Sequence, residues 1–242
     1  MRGTATPITA AMTAEELDEA GLLRLLQLTS PSLPVGAFAW SQGLEAAVDK
    51  GWITAEADAA HWVAGMVSHG LGRMEIPVLL RVHAQLGAGA FDQAGAWNRW
   101  LLACRETREL WEEDTHIGAA LGRLLASLEA PMMAEWQRHH GRAPLSYAAG
   151  FALAAVDSAL PARTAALGYL WAYCENQAAA LIKLGVLGQT GAQRLLGRLH
   201  EPIRKAIRDG SALSDDDLGM SLPGLALASA HHETQHSRLF RS

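Results

Sequence analysis

Asp92-Gln93-Ala94-Gly95-Ala96-Trp97-Asn98-Arg99-Trp100-Leu101-Leu102-Ala103-Cys104-Arg105-Glu106-Thr107-Arg108-Glu109-Leu110-Trp111-Glu112 is the stretch on which the fold class turns. Its apolar positions Trp97, Trp100, Leu101, Cys104 and Trp111 recur in steps of three and four residues and their sum. Arg99, Arg105, Glu106, Glu109 and Glu112 fall mostly around the other side. A helix turns once in about 3.6 residues, so this spacing predicts an amphipathic helix with a heavily aromatic buried face.

The same periodicity continues outward. Helix patterns run over residues 117–128, 132–140, 145–160, 164–184 and 191–208, and toward the N-terminus a helix passes through Leu17, Leu22, Leu25 and Leu26. Thr13-Ala14-Glu15-Glu16 ahead of it has the form of a capping box. Thr54 is expected to cap a helix carrying Ala57, His61, Val63 and Val67, and Pro77 to open or bend the next one. No run of β-branched residues alternates with polar ones, as a half-buried strand requires. The expectation is therefore an all-α chain: a single domain of about eight to ten packed helices, with residues 1–12 as a flexible segment, 13–222 as the helical domain and 223–242 as a C-terminal docking tail. Two segments interrupt the helices. Ser30-Pro31-Ser32-Leu33-Pro34-Val35-Gly36 reads as a rigid, extended turn, because its prolines cannot donate backbone hydrogen bonds and each restricts the residue before it. Pro223-Gly224 reads as a break before the tail.

Composition narrows the function. Half of the 242 residues are hydrophobic and the formal net charge is −5, which gives no electrostatic basis for binding nucleic acid. No apolar stretch approaches the ~20 residues that span a bilayer, and nothing behind Met1-Arg2 resembles a secretory signal. Cys104 and Cys174 lie far apart and read as buried thiols of a reduced, cytoplasmic compartment. There is neither a G-x-x-x-x-G-K-[ST] loop nor a G-x-G-x-x-G turn, so the chain is not expected to bind nucleotide by itself.

One motif does suggest catalysis. His232-Glu233-Thr234-Gln235-His236 spells H-E-x-x-H, which on a helix sets two imidazoles one turn apart for zinc. None of the six residues after His236 is Asp, Glu, His or Cys, so no third ligand can follow, and a zinc-dependent hydrolase is the lesser alternative. Adjacent pairs such as His139-His140 point to different faces of a helix and chelate poorly. Other features suit an interaction module: Phe38 and Trp40 beside a proline-rich turn, Lys183 after the apolar run 178–182, and an apolar Leu239-Phe240 pair near the chain end.

Three separated motifs then carry a resemblance. Residues 25–38, Leu-Leu-Gln-Leu-Thr-Ser-Pro-Ser-Leu-Pro-Val-Gly-Ala-Phe, with Ser41-Gln42-Gly43-Leu44-Glu45, form the first. Lys183 with Leu187-Gly188-Gln189 and Gln193, and the ending His232-Glu233 with Ser237-Arg238-Leu239-Phe240-Arg241-Ser242, form the others. In this order they resemble the urease accessory protein UreF family. The family usually has an aromatic residue where His236 stands, so the second zinc ligand is accidental, and Trp40 and Val186 also depart from its pattern.

The resemblance implies an all-α, dimeric protein without catalysis or cofactor of its own. It implies a bridge between UreD/UreH and the GTPase UreG, acting on UreG during nickel insertion into apo-urease, with nickel and GTP handled by those partners. By the same resemblance Pro34, Gly36, Phe38, Glu45, Lys183, Gln189, Arg238, Leu239 and Phe240 are the candidate partner-binding residues, with Glu45 and Lys183 facing UreG. The tail is expected to be mobile alone and ordered in the complex, with Arg238 tied to carbonyls of the proline-rich turn. A helical interaction module unrelated to urease remains the third reading.

Overall fold

Eight of the eleven residues of the helix Tyr147–Asp157 are buried, an unbroken run from Ala148 to Ala155. A helix apolar on every side has to sit inside the molecule, and this one is the axis of the fold. The computed structural model describes residues 18–219 and 222–241, so the capping box at Thr13 and the segment 1–12 lie outside the described residues.

Eleven α-helices make up the described part, and no strand occurs among the described residues. They are α1 Glu19–Leu28, α2 Leu44–Asp49, α3 Glu56–Gly65, α4 Glu75–Gly87, α5 Phe91–Ala103, α6 Arg108–Ser127, α7 Pro131–His140, α8 Tyr147–Asp157, α9 Ala162–Lys183, α10 Gln189–Ser211 and α11 Pro223–His232. The all-α expectation holds, with one helix more than the upper end of the expected range. α4 and α6 make the broadest contacts with α8, while α7 and α9 close its remaining sides. α10 lies along α9 and meets a π-helical turn, Met66–Leu71, between α3 and α4. The α10 crossing is close because Gly72 and Gly210 have no side chains: a Cβ on Gly210 would stand 2.4 Å from the Gly72 carbonyl oxygen.

The stretch from Asp92 to Glu112 is two helices, not one. α5 ends at Cys104, and Thr107 starts α6 with its hydroxyl oxygen accepting from Leu110 N at 3.2 Å. The break changes the phase of the helix, so Arg105 and Glu109, expected on the solvent side, turn inward: Glu109 is buried and the Arg105 side chain is 9% exposed.

Three further expectations are corrected locally. Ala55, not Thr54, is the N-cap of α3; the Asp58 carboxylate accepts from Thr54 N, Ala55 N and the Thr54 hydroxyl. The proline-rich turn is compact, not extended: Leu33 N donates to Ser30 O, and Gly36 takes φ +73° before a 3-10 turn at Ala37–Ala39. Pro223 does not break the chain but opens α11, where a missing N–H costs nothing.

Candidate partner-docking site

α11 and the residues after it are seated on the fold in this single chain. α11 packs against α2 and α6, and Phe240 lies in the same core as Leu225 and Ala228. The seat is built from four elements, each supplying one kind of group.

α2 begins at Gly43, which takes φ +73° and could not carry a side chain without meeting Ala228 Cβ at 3.0 Å. The close approach places Glu45, in the first turn of α2, against the tail. Its Oε1 accepts from Leu239 N at 2.7 Å and its Oε2 from Phe240 N at 2.9 Å. One buried carboxylate thus takes two successive backbone N–H groups of the tail, a charge-assisted pairing stronger than neutral hydrogen bonds.

His232, the last residue of α11, is fully buried between two carboxylates. Its Nε2 lies 3.2 Å from Glu45 Oε2 and its Nδ1 lies 2.9 Å from Glu109 Oε2. The other Glu109 oxygen accepts from Arg238 Nη1 at 2.9 Å. Burial raises the Glu109 pKa above the ordinary glutamate value, while His232 and Arg238 pull against that shift. Arg238 also donates to Gln235 O and Glu233 O, which folds the chain end back on the terminus of α11.

From α9, Lys183 Nζ donates to Leu239 O at 2.8 Å and stands 4.1 Å from the centre of the Phe240 ring. Cation and ring attract through the negative face of the aromatic system. Arg241 N donates to Ala39 O at 2.8 Å, and its guanidinium lies 5.9 Å from the Trp40 ring centre.

Glu45, Lys183, Arg238, Leu239 and Phe240 therefore come together. Among the described residues, no hydrogen bond or ring contact of this cluster involves Pro34, Gly36, Phe38 or Gln189. Phe38 and Pro34 are exposed, and Phe38 lines a surface cavity of about 160 Å³ with Leu33, Val35 and Tyr173. Gln189 is exposed at the start of α10. One expectation is corrected. Arg238 bonds Glu109 and its own neighbours, because the turn's carbonyls are partly used within its compact fold; the tail reaches that region through Arg241 N instead. Lys183 donates to Leu239 O of its own chain, and its ammonium keeps two more donors.

The zinc geometry is absent as well. α11 stops at His232 and Glu233 is its C-cap, so His232 and His236 are not one helical turn apart on a shared face. The two carboxylates approach opposite edges of the His232 ring, so the three groups do not converge on one point. Burial pushes the Cys174 thiol up to about 12, which keeps it protonated and apolar in behaviour. His140 has Nε2 2.9 Å from Phe91 O.

A second polar centre inside the fold has no local signal in the sequence. Arg105 reaches Glu75 Oε1 at 2.5 Å and Asp114 Oδ2 at 2.7 Å. Burial opposes its charge, but the Asp114 and Glu75 carboxylates outweigh that and raise its pKa above the ordinary arginine value. Asp114 Oδ1 also accepts from Tyr147 N at 2.7 Å, tying the triad to the start of α8. A small, partly open space of about 40 Å³ beside it is lined by Gln42 and Glu113, whose side chains pair at 2.8 Å. His232 and Glu109 were legible in principle: His232 is in phase with Leu225 and Ala228, and Glu109 and Glu113 are in phase with the buried Ile117 and Leu121.

Fold and site together define a helical protein whose most elaborate polar architecture serves to seat its own C-terminus. No helix among the described residues is long and apolar enough to cross a membrane. A profile of the UreF family matches residues 53–200. The urease accessory protein UreF of Alkalilimnicola ehrlichii is 49% identical over 90% of this chain and 95% of its own length. Those of Chromohalobacter salexigens and Hahella chejuensis are 49% and 45% identical, over 93% and 91% of this chain and 96% and 98% of theirs. The chain belongs to the UreF family of urease accessory proteins.

Proposed function

We propose that this chain is a non-catalytic bridge in urease maturation: it joins UreD/UreH to the GTPase UreG and acts on UreG while nickel enters apo-urease. Nickel and GTP are then the partners' cargo and substrate, the working form is a cytoplasmic dimer, and this protein contributes shape and contacts. The observation that supports the reading is the seated tail. It joins residues far apart in sequence into one surface, with Lys183 and Leu239 exposed at its edge and Glu45 and Phe240 buried beneath. A surface that exists only when the terminus is in place suits a protein that recruits one partner after another.

The test is a tagged pull-down from cells expressing the urease operon. Lys183→Ala, or a chain ending at Ser237, should keep the far-UV helix signal but recover less UreD/UreH or UreG and yield less active urease. Recovery of both partners and urease activity at the unaltered level would refute the proposal.

A further inference from the structure

The cavity beside Phe38 runs from an exposed rim to a buried lining: Pro31 and Phe38 stand open to solvent, while Glu113, Tyr169 and Tyr173 are buried. Its volume of about 160 Å³ has room for roughly ten water molecules. The charge of its lining is one-sided. Glu113 and Glu175 supply two carboxylates, and among the described residues no lysine, arginine or histidine lines it. Burial raises the Glu175 pKa above the ordinary glutamate value, and a hydrogen bond from Trp171 opposes that shift.

Hydrogen bonding leans the same way. Gln42 Nε2 donates to Glu113 Oε1 at 2.8 Å, Asn176 Nδ2 to Trp40 O at 3.1 Å, and the Thr29 hydroxyl to Leu25 O at 2.9 Å, so these side chains turn donors to their own chain and keep oxygens as acceptors. Tyr173 adds a buried hydroxyl, within electrostatic reach of Glu113, that has no hydrogen-bond partner. A polar group buried without a partner costs free energy. The lining therefore calls for an occupant that brings positive charge and donors.

We propose that this cavity is a socket for an arginine side chain of a partner protein, with the guanidinium among the Glu113, Glu175 and Tyr173 oxygens and the apolar stem against Leu33 and Val35. The proposal rests on the bridging reading above and adds the chemistry of one contact. A lysine ammonium is a compact, strongly hydrated point charge, whereas a guanidinium is planar, weakly hydrated and spreads five donors. It also stacks on aromatic rings, which Tyr147, Tyr169 and Phe38 supply here. Arginine seated in a pocket behind an apolar collar is a frequent anchor of protein interfaces, and Phe38, already exposed at the rim, is that collar.

N-acetyl-arginine amide titrated into the full-length chain tests the socket, read by NMR at the Gln42 side-chain amide. A ligand of this size binds in the millimolar range. The arginine probe should give a saturable shift, and its citrulline analogue, equal in shape but uncharged, should bind at least about tenfold more weakly. Glu175→Gln keeps an oxygen for Trp171 and should weaken the arginine probe by about tenfold while leaving the citrulline probe unchanged. Tyr173→Phe removes a hydroxyl that nothing in the fold uses, so it should keep the helix signal and weaken the arginine probe severalfold. No saturable shift up to about 50 mM, well beyond the expected range, or equal binding of the two probes, would overturn the socket. In the operon pull-down, Glu175→Gln should recover less UreD/UreH or UreG. Full recovery would overturn a partner's arginine as the occupant, and full recovery with loss of self-association would do so by moving the arginine to a second copy of this chain. A native chain that recovers neither partner refutes the bridging reading and this occupant together, whereas the probe titration contains no partner and judges the socket by itself.

Discussion

Gly118 and Gly197 both lie inside helices, and only their surroundings separate them. A Cβ on Gly118 would stand 2.0 Å from Leu145 O, in the loop that leads into α8, whereas nothing lies within 4 Å of the Cβ position on Gly197. Gly118→Ala should destabilise the fold by about 3 kcal/mol or more, because the clash is with backbone that Asn98 and Asp114 hold in place. Gly197→Ala should stabilise it by roughly 0.4–1 kcal/mol by restricting the unfolded chain. Denaturant unfolding of the two variants checks both signs; equal effects would mean that the close approach at Gly118 is wrong. The sequence does not separate these glycines, since nothing local reports what a distant loop will bring. The same limit hid Arg105: its partner Glu75 is thirty residues away, and only the fold makes them neighbours. Lys183, Leu239 and Phe240 are legible because an apolar pair or a charge in an unfavourable place shows without any partner in view, whereas Arg238 enters only through the family motif.

At the level of helices, the sequence is legible where periodicity is long and ambiguous at the ends. The buried run of α8 and the amphipathic α6 follow from side-chain spacing alone, but the break between α5 and α6 depends on a threonine that can serve equally as a helix interior or a cap. α3 shows the same ambiguity, and here it has a pH consequence. Hydrogen bonds from the Thr54 backbone, then the Thr54 hydroxyl and Ala55 N, hold the Asp58 carboxyl below its ordinary value. A carboxylate with a depressed folded value contributes stability above its unfolded value and loses it as pH falls through the folded one. Asp58→Ala should therefore lower the thermal midpoint at pH 7, and the gap to the native chain should close on acidification below about pH 4, the ordinary aspartate range. A gap that stays constant to pH 3 would show that Asp58 acts by packing and not by capping α3.

For the whole molecule, the surface around α1 is the least finished part of the fold. Leu22, Leu23 and Leu26 are exposed along one side of the helix, Leu23 by 66%, and Phe38 on the adjacent turn is exposed by 72%. Large apolar side chains clustered in this way mark an interaction surface more often than a bare one. The abundance of tryptophan is a weaker argument for self-association, since Trp40 and Trp136 are consumed by the core and neither exposed tryptophan, Trp52 or Trp111, lies on α1. A second copy of the chain is the occupant expected for the α1 face. Two copies meeting there would cover each other's leucines at once, which is how a twofold interface makes a patch self-complementary. Light scattering should then give about twice the 25.9 kDa of one chain at micromolar concentration. A Leu23→Glu/Leu26→Glu variant should return to the single-chain mass with its helix content intact, because both side chains already face water and their exchange removes nothing from the core. A native chain that scatters as one copy across a wide concentration range would remove the dimer, and a variant that still scatters as two copies would place the interface on another face.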